Sequence, residues 1–470
     1  MSGARIVVVG GGSQYAVGLC ESLVDYASDL LAGSTVVLLD IRDDHVAVVQ
    51  RFAARLAREV GADIRFEATI DRRRAFDGAD FLLTTFRPGS HREQELDERI
   101  PPRYGLQGNE TVGIGGIFMA CRVVPILREI CADAEELCPD AWIVNYTIPT
   151  QFVADAVGRL SSLRVISLCD GYLDVVEDLA DLLDADPAEI TVHPAGTNHA
   201  MWIMRFTVGG EDGYPLLRER LAGMSDEELE RRYAPPERVT HNGADYAYDD
   251  IYKQFITHNS FPFSIRLFRL YGLLPGPRYY WRYLLDQDAI IAAQAREDYV
   301  TMAGFYMKHS EPRMFEGLEE RLRQSTLELR ASRRSGGGGH GDLAVRVIAS
   351  MASNLAESFV VNVPNRGAVS NLPDDAVLEL SALVDGRGAH PFAVGPLPDG
   401  LVGLQQGLVR SQQLAVSAAV SGSRDELLRA IMAHPLVHSL DAAERCMDDL
   451  LERQAAFLPQ FHGEGARVHA

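Results

Sequence analysis

The chain has 470 residues, enough for two domains with a core each. Apolar residues make up 47% and charged residues 24%, the balance of a soluble globular protein and not of a disordered or fibrous one. A formal net charge of −21 argues against nucleic acid or an anionic membrane as partner, while a local arginine cluster could still hold a small anion.

Arg5-Ile-Val-Val-Val9 opens the fold as an apolar run suited to a strand buried on both faces. Gly10-Gly-Gly12-Ser13 then turns the chain, and Tyr15 to Leu31 carries apolar residues at helical spacing. A second apolar run, Thr35 to Leu39, ends in Asp40. Strand, glycine turn and helix N-terminus offer backbone N–H groups and a positive dipole end to a pyrophosphate. A carboxylate at the tip of the second strand suits the ribose hydroxyls of NAD and repels the extra phosphate of NADP. The expected cofactor contacts are Gly10, Gly12, Ser13, Gln14, Tyr15 and Asp40. Tyr15 stands where the third glycine of the usual fingerprint would be, so a βαβ unit without a ligand also fits.

Further on, the pattern predicts a helix over 44–60, strands over 64–67 and 81–85, a helix over 122–137, and strands over 142–145 and 164–168. This is the rhythm of an α/β doubly wound, Rossmann-like parallel sheet. Its C-terminal strand ends carry Gly10, Asp40, Thr85, Asn145 and Cys169, where ligands of such sheets collect. After Pro194 the rhythm changes to short mixed or antiparallel strands over 190–192 and 200–206, then to a largely helical remainder reaching about Phe457. Ser335 to Gly339 reads as a flexible loop. The expected division is an NAD-binding domain over 1–195 and an α+β, largely helical domain over 196–470. Six cysteines without a C-x-x-C pair, no apolar run of membrane length and no signal peptide point to a cytoplasmic protein with reduced thiols.

Three groups of residues could carry chemistry. Cys169 at a strand end and His199 thirty residues on are a plausible divalent-metal pair, with water or substrate completing the shell. A buried thiol and a hydrogen-bonded core histidine fit the same residues. Asp170 could be a general acid or a helix N-cap. In Arg278-Tyr279-Tyr280-Trp281-Arg282-Tyr283 a phenol beside cations could act as a base, or the rings could be core.

The order of motifs is more specific. Leu96-Asp-Glu-Arg-Ile100-Pro, Tyr104-Gly-Leu-Gln-Gly-Asn-Glu110-Thr, Gly115-Gly116, Arg122-Val-Val-Pro125 and Asn145-Tyr-Thr-Ile-Pro149 are followed by Cys169 and Asn198-His199. Asn362-Val-Pro-Asn365-Arg-Gly367 and Asn371-Leu-Pro-Asp-Asp375 complete the series. From residue 5 to about 435 the chain resembles the NAD- and manganese-dependent glycosidases of glycoside hydrolase family 4 and their NAD-dependent sulfoquinovosidase relatives. The resemblance implies transient oxidation at carbon 3 by NAD, loss of an acidified carbon 2 proton to a tyrosine, departure of the aglycone, and water addition. A divalent metal, manganese in this family, would stabilise the enediolate. It further implies Cys169 and His199 as metal ligands, Asp170 as acid, and Tyr280, or Tyr279 one residue away, as base. Thr85, Arg87, Glu110 and Asn145 would lie near the cofactor, and Asn198, Arg296, Arg92 and His340 near the sugar.

Some positions depart from the pattern. Gln94 stands where users of 6-phosphosugars carry an arginine, and Ile148 replaces a substrate-binding asparagine. Arg266, Arg269, Arg278 and Arg282 add a basic segment inside an acidic chain. The expected substrate is a small anionic α-glycoside, a sulfoquinovoside first, then a neutral or uronic α-glycoside, then a 6-phosphoglycoside. An NAD-dependent 2-hydroxy acid dehydrogenase and a non-catalytic NAD sensor are the readings from other classes. The family also implies a homodimer or homotetramer.

Overall fold

The computed structural model describes residues 3–234, 237–241, 244–247, 260–277, 280–309, 311–329 and 340–463. Its centre is a nine-stranded sheet. The first six strands are β1 (Arg5–Val9), β2 (Ser34–Leu39), β3 (Ile64–Thr69), β4 (Phe81–Thr84), β5 (Trp142–Asn145) and β6 (Arg164–Ser167). They lie parallel in the order β3-β2-β1-β4-β5-β6, the doubly wound arrangement. The valine run of β1 explains its central place. Ile6 and Val8 face one core, Val7 and Val9 the other, and each side chain so buried is worth about 1.5–3 kcal/mol.

Helices cover both faces: α1 (Gln14–Tyr26), α2 (Asp43–Val60), α3 (Arg72–Phe76), α4 (Ser90–Arg99), α5 (Gly113–Leu137), α6 (Thr150–Leu160) and α7 (Tyr172–Leu183). Helix α5 starts nine residues before the expected Arg122. A Cβ on Gly115 would lie 2.1 Å from the Asn109 carbonyl oxygen, and one on Gly116 2.2 Å from that of Thr111. The glycines let the helix press against that loop. Helix α1 ends at Tyr26, short of the expected Leu31, because the chain turns through Ala27 and Ser28.

Beyond α7, β7 (Ile190–Thr197) and β8 (Ala200–Val208) form an antiparallel hairpin, with β9 (Glu211–Asp212) pairing the end of β8. A separate hairpin joins β10 (Arg238–His241) and β11 (Ala244–Ala247), and β12 (Leu274–Gly276) adds to β8. The remainder is largely helical, as expected, and also carries three strands. Strands β13 (Glu357–Pro364), β14 (Val377–Asp385) and β15 (Gly388–Pro391) join the first sheet antiparallel, at the open side of β6. The late chain thus adds three strands to the early sheet.

One fully buried ion pair ties three segments together. Arg122 of α5 makes a two-pronged contact with Asp97 of α4, at 3.1 and 2.5 Å, and both side chains are 0% exposed. Gln454 accepts from Arg122 and donates to the same carboxylate at 2.7 Å. No described helix is long and apolar enough to cross a membrane.

Candidate active site

A cavity of about 1070 Å³ opens at the C-terminal ends of the parallel strands. Gly10, Gly12, Ser13 and Tyr15 line one end, where the chain passes from β1 into α1. Gly10 has φ +94°, and a Cβ there would meet the Thr85 carbonyl oxygen at 2.5 Å. The Gly12 N–H donates to Asp40 Oδ2 at 2.9 Å, and Asp40 Oδ1 accepts from the Arg42 N–H at 3.0 Å. The buried Ser13 hydroxyl has no hydrogen-bond partner among the described residues. Gln14 opens α1, but its side chain lies outside the described residues.

The opposite end holds the groups from the later strands. Cys169, Asp170, His199 and Tyr280 all line the cavity. Cys169 Sγ is 3.3 Å from His199 Nε2. The Tyr280 ring stacks on the His199 ring, with centroids 3.8 Å apart and planes 23° from parallel. Burial holds the His199 imidazole neutral, with its pKa down to about 3. The Cys169 thiol is pushed well above its ordinary value, first by burial and then by the nearby Glu379 and Asp170 carboxylates. His199 Nδ1 is buried, with no hydrogen-bond partner among the described residues.

Between the ends lie Thr85, Arg87, Glu110 and Tyr146. Arg87 donates to Glu110 at 3.1 Å and to Gln94 at 2.8 Å. Gln94 passes this on, donating to Glu98 at 2.7 Å, and Glu98 accepts the Met302 N–H at 2.8 Å. Burial pushes the Glu98 carboxyl up to about 8.

Other sequence candidates stand elsewhere. Asn145 is fully buried below the cavity, bonded to Thr84 at 2.6 Å and to Ser167 at 3.1 Å. Asn198 is buried and donates to Glu379 at 3.0 Å. Arg92 is exposed on α4, and Arg296 is exposed and paired with Asp298 at 2.5 Å; neither lines the cavity. His340 begins the helix His340–Ser353, where its neighbour Gly341 lines the cavity; its own side chain is outside the described set. Tyr279 and Arg278 also lie outside the described residues. The anticipated basic segment is dispersed, with Arg269 paired to Asp226, Arg282 to Asp286 at 2.6 Å, and Arg266 exposed.

Two side chains at this site were not anticipated from sequence. Tyr146 presents a buried phenol without a hydrogen-bond partner among the described residues. Glu379 of β14 is 1% exposed, and burial pushes its carboxyl up to about 8. Among the described residues, no group of three or more His, Cys, Asp or Glu is placed to hold a metal. The Cys169–His199 pair stands as two donors.

The family model for family 4 glycosyl hydrolases matches residues 5–185, and that for their C-terminal domain matches residues 194–437. The chain belongs to glycosyl hydrolase family 4. It is 32% identical to a probable 6-phospho-beta-glucosidase of Bacillus subtilis, over 98% of both chains. It is 29% identical to the 6-phospho-beta-glucosidase of Escherichia coli K12, over 97% of this chain and 96% of the relative. Among solved structures, it superposes with a TM-score of 0.82 on a 6-phospho-alpha-glucosidase from gut microorganisms in complex with NAD and Mn2+. That pair is 25% identical, over 97% of this chain and 99% of the other. As a family 4 enzyme it is a hydrolase, and the reading as a plain hydroxy acid dehydrogenase falls.

Proposed function

We propose that this family 4 hydrolase cleaves the glycosidic bond of a hexoside carrying an anionic group on carbon 6, using NAD and a divalent cation, manganese first. One observation carries the reading. The Cys169–His199 pair, with Tyr280 stacked on it and Asp170 beside it, lines the same cavity as the Gly10–Ser13 turn and Asp40. The residues suit both groups. A side chain on Gly10 or Gly12 would collide with the walls of the turn, so backbone N–H groups can approach a pyrophosphate closely. Cys169 Sγ and His199 Nε2, 3.3 Å apart, are a sulfur and a nitrogen donor near enough to share one cation.

When bound, NAD supplies hydride-accepting chemistry at carbon 3 and the cation supplies Lewis acidity. The protein's own groups do the rest. Tyr280 Oη takes the carbon 2 proton, and the Asp170 carboxyl gives a proton to the departing glycosidic oxygen. Glu110 and Arg87 stand between the two ends of the cavity and orient the sugar. Each cavity-lining arginine has a carboxylate partner: Arg42 has Asp44, Arg72 has Asp133, Arg122 has Asp97 and Arg87 has Glu110. Arg87, placed between the two ends of the cavity, is the guanidinium nearest the sugar and would meet the substrate's charge together with Glu110. A phosphate on carbon 6 accords with the substrates named for the relatives. A sulfonate there, as in a sulfoquinovoside, is the second reading: Gln94 is buried and committed to Arg87 and Glu98, so its position offers the substrate no cation.

Release of 4-nitrophenol from α- and β-6-phosphoglucosides, the α-sulfoquinovoside and the α-glucoside, with and without NAD and Mn2+, tests this. Cleavage of a phosphorylated or sulfonated member that stops when NAD is withheld is the expected result. Cleavage of the neutral glucoside alone would remove the anion requirement.

Cation binding should also depend on pH. His199 is already neutral, so binding must displace only the Cys169 proton, which burial holds on tightly. Affinity for Mn2+ is expected to rise about tenfold per pH unit between about pH 6 and 8, with release of one proton. Titration followed by electron paramagnetic resonance measures it, and a flat profile would exclude the thiol as a ligand.

A further inference from the structure

The turn that carries His199 is held in an unfavourable shape. Thr197 and Ala200 are paired across the β7–β8 hairpin, leaving Asn198 and His199 as a two-residue loop. His199 has φ +65°, a left-handed conformation that few non-glycine residues adopt. Such strain persists where the surroundings over-determine it.

Two buried side chains from distant parts of the chain do so here. Glu379 of β14 accepts from Asn198 Nδ2 at 3.0 Å. Gln405, on the helix Asp399–Ser421, is 0% exposed. Its Oε1 accepts from the Thr197 N–H at 2.8 Å and the Thr197 hydroxyl at 3.2 Å, and its Nε2 donates to the Ala200 carbonyl. One side chain therefore grips both flanks of the loop and the other grips its tip. β14 is itself anchored beside the hairpin, since Ser381 donates to the Val192 carbonyl at 3.2 Å.

We propose that Glu379 and Gln405 are positioning residues that clamp the Thr197–Ala200 turn, so that His199 Nε2 is kept beside Cys169 Sγ for cation binding. The inference rests on the metal reading given above. Both residues act from the second half of the chain on a pair whose cysteine ends the parallel sheet.

The test is Mn2+ affinity of the NAD-loaded protein, read by electron paramagnetic resonance. E379M and Q405M keep side-chain volume and remove the acceptors, and E379Q keeps an acceptor for Asn198. Each of E379M and Q405M is expected to weaken Mn2+ binding about 10–100-fold, the usual effect of removing an outer partner of a ligand. NAD affinity should stay unchanged, which also reports that the variants fold. E379Q is expected to bind within about threefold of the unaltered protein, given that a hydrogen-bond acceptor and not a charge is needed. Unchanged Mn2+ affinity in E379M and Q405M overturns the clamp. So does a loss in E379Q as large as in E379M. If the unaltered protein itself fails to take up Mn2+, the metal reading falls, a result distinguishable from failure of the clamp.

Discussion

Replacing His199 by asparagine is expected to lower turnover of the cleaved glycoside by more than about 100-fold, because loss of an outer partner alone commonly costs 10–100-fold in metal affinity. Asparagine is the informative substitution. It tolerates φ +65°, so the hairpin keeps its shape while the imidazole nitrogen facing Cys169 and the ring beneath Tyr280 are lost. Cys169→Ser should match it, since a hydroxyl does not ionise to replace a thiolate. NAD affinity in both variants is expected to stay within about twofold, because neither residue touches Gly10, Gly12 or Asp40 and distant sites act independently. Steady-state turnover together with fluorescence titration of NADH checks both halves. Turnover above one tenth of the unaltered value would take the pair out of the chemistry.

Arg122→Met is expected to destabilise the fold by about 3–5 kcal/mol, the cost of leaving one member of a buried ion pair alone. Asp97 and Gln454 would remain with no guanidinium to share. Burial already raises the Asp97 carboxyl above the ordinary range, and Arg122 is the largest force pulling it down. Without Arg122 the folded-state value rises further above the unfolded one. The sign follows: the variant keeps its stability at acid pH, where Asp97 is protonated in both states, and loses it as pH climbs through the raised value. Denaturant unfolding should show a smaller deficit at pH 5 than at pH 8. The double variant D97L/R122M is expected to recover most of the loss, since an apolar pair of similar volume needs no compensation. Equal deficits at the two pH values would mean that lost packing, and not the stranded carboxylate, sets the cost.

What could be read from sequence follows from how local each signal is. The runs Ile6–Val9 and Thr35–Leu39 announce strands because both faces are buried, and Gly10, Gly12 and Asp40 announce their turn because the chemistry sits within one βαβ unit. Cys169 and His199 were visible as a pair through their place in an ordered series of motifs, and the fold brings them to 3.3 Å. Glu379 was not visible. In Val377-Leu-Glu-Leu-Ser381 a charge between apolar residues reads as the wet face of an alternating strand, yet this sheet is covered on both sides. Its neighbours come from β7, nearly 200 residues earlier, and no local pattern records that. The arginines misled for a related reason: spacing shows where positive charge lies along the chain, but Asp226, Asp286 and Asp298 decide where it points.

The placement of β13 also sets a timetable. Ser167 of β6 finds its partner in Asn362, 195 residues further on. Until that segment leaves the ribosome, β6 is an uncovered strand edge with its N–H and C=O groups exposed to any other extended chain. At about 5–20 residues per second, synthesis leaves that edge open for roughly 10–40 s. During that interval the shortness of β6, four residues, is what limits wrong pairing at that edge.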